Sequence, residues 1–126
     1  MISTLLISRD KSLFSDVKNA FAESLIKTEW TGTGTKALSM LLNKPVDLLI
    51  IDESLPDITG RKFVEKVVMK NPMINCVVAS PLSHKKFHNT YEGLGVLMQL
   101  PVFPEKKDAQ KLIGHLKLIF HLHVTQ

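Results

Sequence analysis

An unbroken apolar run, Leu48-Leu49-Ile50-Ile51, stops abruptly at a carboxylate, Asp52. A short run with no polar alternation suits a strand covered on both faces, as in a parallel sheet held between layers of helices. Pro56 and Gly60 follow Asp52 at four-residue steps, and a helical pattern begins at Arg61. A carboxylate at the carboxyl end of such a strand lies on the sheet edge where open α/β folds bind ligands. Asp52 is therefore the first candidate for chemistry.

The chain on either side repeats the same alternation. Ile2 to Ile7 reads as a first strand, ended by Ser8-Arg9-Asp10. Asp10 or Ser12 can cap a helix whose stripe is Leu13, Phe14, Val17, Phe21 and Leu25. Ile26 to Trp30 reads as a short second strand. The loop Thr31-Gly32-Thr33-Gly34 follows, with Thr35 as candidate cap, and Ala37, Leu38, Leu41 and Leu42 make the next helical stripe. After the central strand, Phe63, Val64, Val67 and Val68 face inward on a third helix that Asn71-Pro72 stops. Ile74 to Ala79 is a fourth strand broken by Ser80-Pro81. The poorly patterned segment from Ser83 to Tyr91 reads as a short fourth helix, and Val96 to Leu100 is a fifth strand ended by Pro101. Pro104 suits the first turn of a last helix with Leu112, Ile113, Leu116, Ile119 and Phe120 as its stripe. The tail after Phe120 is expected to fray. Five strands alternating with helices imply a doubly wound parallel sheet in three α/β/α layers, with right-handed crossovers. No internal repeat or linker divides the chain, so residues 1–126 read as one domain.

Composition narrows the function classes. No run approaches the ~20 apolar residues that span a bilayer, so no membrane role is expected and the cytoplasm is the expected compartment. The single Cys76 sits inside an apolar run, which excludes a disulfide framework and reads as a buried thiol. The formal net charge is +4, but the lysines are scattered, with Lys85-Lys86 and Lys106-Lys107 as the densest pairs. With no helix-turn-helix pattern and no aromatic stacking platform, a solvated surface is expected rather than a nucleic-acid interface.

Taken together, Asp52-x-x-x-Pro56-x-x-x-Gly60 after an apolar strand, Thr33-x-x-x-Ala37-Leu38 before it, Ser80 ending the fourth strand, Gly93 and Leu100-Pro101 resemble the receiver domains of two-component response regulators. The resemblance covers nearly the whole chain. It implies the flavodoxin-like, five-stranded receiver fold and a place in phosphorelay signal transduction. In that family a partner histidine kinase phosphorylates an aspartate, and the response is felt on the fourth helix, fifth strand and fifth helix. It would make Asp52 the phosphoacceptor position, Ser80 the switch hydroxyl and Pro101 the candidate for a cis proline. It also implies a divalent cation held by the acceptor aspartate, a carboxylate after the first strand and a backbone carbonyl, with a lysine from the fifth strand on the phosphate. The physical need is plain, because an aspartate attacking a phosphoryl group gathers negative charge that must be neutralised.

This sequence departs from the pattern where that neutralisation should occur. The acidic pair expected after the first strand is Ser8-Arg9, the lysine position is Leu100, and the aromatic expected three residues earlier is Leu97. Magnesium normally takes one or two carboxylates, and Arg9 places a fixed positive charge where the ion should sit. Arg9 is expected to lie near Asp52 in place of the metal. At ~4 Å and an effective dielectric of about 20, such a pair has a Coulomb attraction of roughly 4 kcal/mol before desolvation. The leading expectation is a divergent receiver, or pseudo-receiver. It would be a binding module rather than an enzyme, needing no cofactor and acting through a protein partner such as a histidine kinase or an output domain. A homodimer through the fourth helix, fifth strand and fifth helix is the other form expected. The alternative is a working phosphoacceptor in which Asp52 and neighbouring Asp10 hold Mg2+.

A further alternative comes from Thr31-Gly32-Thr33-Gly34-Thr35, which lies between a strand and a helix as a phosphate-cradling loop should. It also resembles the flavodoxin phosphate loop and would make the chain an FMN or nucleotide binder. In flavodoxins, however, that loop follows the first strand, whereas here a strand and helix precede it. His84 and His88 would share a helix face, but no third ligand completes a metal site. His115, His121 and His123 lack a useful helical spacing. Ser80 has no evident histidine base for nucleophilic hydrolysis.

Overall fold

The computed structural model describes residues 2–120. The tail beyond Phe120, with His121 and His123, lies outside them. Five parallel strands form one sheet: β1 (Ser3–Ile7), β2 (Lys27–Thr31), β3 (Leu48–Asp52), β4 (Asn75–Ala79) and β5 (Val96–Leu100). Their order is β2-β1-β3-β4-β5. The helices are α1 (Ser15–Glu23), α2 (Gly34–Asn43), α3 (Gly60–Lys70), α4 (His84–Thr90) and α5 (Lys106–Ile119), and a 3-10 turn at Lys11–Phe14 leads into α1. This is the doubly wound, three-layer arrangement that the alternation predicts.

Strand parity divides the core. On one face Leu6, Leu48, Ile50, Val77, Ala79 and Leu100 pack with Phe14, Val17 and Phe21 of α1 and Leu112 and Leu116 of α5. On the other, Leu5, Ile7, Leu49, Ile51 and Val78 pack with Phe63, Val64 and Val67 of α3 and Phe87 of α4. Every residue of β3 is buried, as its uninterrupted apolar run requires. Cys76 is buried in the second core, and burial pushes its thiol up to about 12. Among the described residues no helix is long and apolar enough to cross a membrane.

Four local expectations are corrected. Thr33, not Thr35, caps α2, its side chain accepting from the Lys36 amide, because the Thr35 hydroxyl is engaged elsewhere. Pro104 lies one residue before the cap of α5. Glu105 is that cap, and it exchanges hydrogen bonds with Asp108 in a capping box. Leu25 leaves the α1 stripe. It is 75% exposed with φ of 60°, taking the left-handed turn through which Ile26 N–H donates back to Phe21 at 2.9 Å. The cis expectation at Pro101 also fails, for no peptide bond among the described residues is cis. Trans is the lower-energy isomer even before proline, and the preceding Leu100 is simply buried in the core.

Candidate functional site

The switch in strand order lies between β1 and β3, so the residues after their carboxyl ends face one another across the crevice where such sheets bind ligands. Ile7 pairs with Ile51, which sets Ser8 and Arg9 beside Asp52. Asp52 is 2% exposed. Its Oδ2 accepts from the Arg9 amide at 3.2 Å, and its Oδ1 accepts from Arg9 Nη1 at 3.1 Å and from the Ser54 amide at 2.9 Å. The same Nη1 lies 3.5 Å from the Ser54 carbonyl oxygen. Both carboxylate oxygens therefore have donors, and one cation bridges the aspartate and a backbone carbonyl two residues on.

A divalent ion does not fit this residue set. Ser8 is fully buried and offers only a hydroxyl, which donates to Asp10 O at 2.7 Å and accepts from Trp30 Nε1 at 3.0 Å. Asp10 does not turn toward Asp52. Its Oδ1 accepts from the Ser12 amide at 3.0 Å and the Ser12 hydroxyl at 2.9 Å, capping the 3-10 turn. The Ser12 amide above all, then its hydroxyl, holds the exposed Asp10 carboxyl below its usual value. The guanidinium holds the space between Asp52 and the Ser54 carbonyl. Among the described residues no three metal-ligating side chains gather anywhere. His84 and His88 lie exposed on α4 with no partner ligand.

Parity separates Asp52 from the next carboxylate. Asp52 belongs with Leu48 and Ile50, whereas Glu53 turns to the α3/α4 face, where Ser80 also points. The Ser80 hydroxyl donates to Glu53 Oε1 at 2.9 Å and accepts from the Leu82 amide at 3.1 Å. Tyr91 donates its phenol proton to Glu53 Oε2 at 2.7 Å. Burial first, then this bond and the Glu53 charge, push the Tyr91 phenol well up, so it stays a donor. Gly60 lets this packing close: a Cβ there would sit 2.8 Å from Glu53 Cα. Gln99 completes the wall, its Nε2 donating to the carbonyls of Ser80 at 3.1 Å and Leu82 at 2.8 Å. Glu53, Tyr91 and Gln99 escape sequence reasoning. The available signal is Tyr91, the one tyrosine of the sequence, four residues after Phe87 at helical spacing.

The other sequence-selected positions lie apart from the Asp52 oxygens. Leu100, 1% exposed, packs among core residues under α1 and α5, and Leu97 packs against the same core. Neither brings a polar group to Asp52. The Thr31–Thr35 loop is satisfied from within. The amides of Gly34 and Thr35 donate to the two oxygens of Asp57, each at 2.9 Å, and the Thr35 hydroxyl donates to Oδ2 at 2.6 Å. A carboxylate of the chain itself thus occupies the helix N-terminus that a flavin or nucleotide phosphate would use.

No family model and no curated protein matches the chain. Solved structures do. The chemotaxis response regulator CheY4 of Vibrio cholerae is 18% identical, with TM-score 0.83, over 92% of this chain and 98% of that one. A two-component response regulator from Clostridium difficile is 16% identical, with TM-score 0.83, over 99% and 100%. One from Legionella pneumophila is 23% identical, with TM-score 0.78, over 94% and 99%. At such identities the likeness speaks for architecture, and over nearly its whole length this chain has the fold of a response-regulator receiver domain.

Proposed function

We propose that this chain is a receiver-like signalling module of the cytoplasm that works by binding protein partners, without magnesium-dependent phosphorylation of Asp52 and without enzymatic activity of its own. One observation carries the reading: the Arg9 guanidinium stands 3.1 Å from Asp52 Oδ1, beside the Ser54 carbonyl, as a fixed cation of the chain itself. A protein charge in that position neutralises Asp52 permanently, so the site has one charge state rather than two. Ser80 supports the same reading, because its hydroxyl already serves Glu53. The partner would be a histidine kinase, an output domain or a second copy, engaged through α4, β5 and α5.

An amide NMR titration with magnesium and then beryllofluoride, a phosphoryl mimic, tests this. The parent is expected to show no shifts centred on Asp52 and Ser80, whereas Arg9→Asp combined with Leu100→Lys is expected to gain them. Parent shifts that vanish in Asp52→Asn would identify a live phosphoacceptor and sink the proposal.

A further inference from the structure

At the end of the sheet opposite Asp52, a cleft of about 380 Å³ opens between α2 and α3. Leu38 and Leu41 of α2, Val67 of α3 and Ile74 line it. Leu42, which also lines it, is 72% exposed. The sequence explains why these groups stay uncovered. Within α2 only Gly34 and Ala37 are buried, so the leucines at 38, 41 and 42 spread beyond the arc that the sheet can cover.

Charge is distributed asymmetrically around this cleft. Lys62, Lys66 and Lys70 recur at four-residue steps and run as one exposed row along α3, ending at the cleft, which Lys70 lines. Among the described residues none of the three forms an ion pair. Lys44 also lines the cleft but is paired with Glu29 at 2.7 Å. The one carboxylate in the lining, Asp47, accepts from the Ser3 amide at 2.8 Å. The result is an apolar floor with an uncompensated positive row on one side.

We infer that the α2/α3 cleft docks an acidic amphipathic helix of a partner protein. Apolar side chains at helical spacing would enter between Leu38, Leu42 and Val67, and flanking carboxylates would lie along Lys66 and Lys70. A second copy of this chain fits poorly. Its net charge is +4, and no described helix carries more than two acidic residues. The cleft is formed without any contribution from Asp52 or Arg9, so the inference stands apart from the phosphorylation reading.

The test uses the full isotope-labelled chain and two synthetic helical peptides. Both carry leucine at i, i+3, i+4 and i+7, one with glutamate and one with lysine at the remaining positions. The glutamate peptide is expected to shift amides in residues 38–47 and 62–74 and to lose affinity as salt rises. Lys66→Glu with Lys70→Glu, both at exposed positions, should weaken it roughly tenfold, and Leu42→Ser should weaken it independently of salt. Equal binding of the lysine peptide, shifts confined to α4, β5 and α5, or no binding at all would overturn the inference. Tighter association with anionic phospholipid vesicles than with the peptide would overturn it in favour of a membrane surface.

Discussion

Asp52 and Glu53 are consecutive carboxylates at the end of one strand, yet they are held by opposite means. Asp52 turns toward α1 and meets a guanidinium and two backbone amides. Glu53 turns toward α4 and meets two neutral hydroxyls, those of Ser80 and Tyr91. The first region is neutral and self-contained, because its cation comes from the loop beside it. The second has no ion pair among the described residues, and its hydrogen bonds tie β3 to β4 and to the end of α4. A charge change at Asp52 would have to disturb Arg9 before anything else. A rearrangement at Glu53 would reach α4 directly. The alternation of the strand makes this division, and it places the mechanical link one residue away from Asp52.

The sharpest way to break the comparison acts on the Glu53 side. Gly60→Ala forces a Cβ to 2.8 Å from the Glu53 backbone and 3.2 Å from the Tyr91 hydroxyl oxygen. Backbone cannot give as a side chain tip can, so the variant should lose about 2 kcal/mol of stability in urea denaturation. Amide exchange should rise in α4 and leave the Arg9 amide protected. Exchange rising equally at both carboxylates would mean the two regions are one. Gly34→Ala is the counterpart at the loop after Asp52: the new methyl group would overlap Ile58 Cγ2 and lie 3.2 Å from Phe63 Cδ1, and a β-branched side chain is too stiff about χ1 to swing aside freely.

Arg9→Ala probes the other side. Breaking a fully buried pair costs roughly 3–5 kcal/mol, but the Arg9 side chain is 39% exposed and water can replace part of it, so about 1 kcal/mol is expected. The cost should nearly vanish when Asp52→Asn is also present, because no charge then remains to neutralise. An equal cost in both backgrounds would show that Arg9 contributes packing alone, and the contrast with Glu53 would lose its electrostatic half.

How much of this was legible in the sequence follows the range of each interaction. The apolar runs set the strands, but alternation alone does not make β1 and β3 neighbours; the expected approach of Arg9 to Asp52 rests on the resemblance to receiver domains, and the strand order bears it out. Glu53–Tyr91 spans 38 positions and depends on the rotation of α4, a helix of seven residues with only Phe87 buried. Its pattern is too sparse to fix that rotation. The choice between Thr33 and Thr35 as cap turns on range in the same way: the two threonines flank Gly34, where α2 begins, and the distant Asp57 takes the Thr35 hydroxyl.

Asp57 also supplies the smallest and most selective test. It is the third carboxylate of the same loop, exposed at the tip, and held neither by a cation nor in a buried network. The Thr35 hydroxyl, then the amides of Gly34 and Thr35, lower its pKa from the usual 3.8. A depressed carboxyl contributes stability that is complete above the unfolded value and is lost as pH falls through the folded one. Asp57→Ala should therefore cost about 0.5 kcal/mol near neutral pH, the usual scale for an exposed anion at a helix N-terminus. The gap between parent and variant in urea denaturation should stay level down to about pH 5 and close below about pH 4. A gap that persists at lower pH would mean that Asp57 clamps the loop to α2 by packing. The loop following Asp52 would then be held by contacts that acid does not reach, and the charge-based account of how that loop is fixed would have to yield at its outer end.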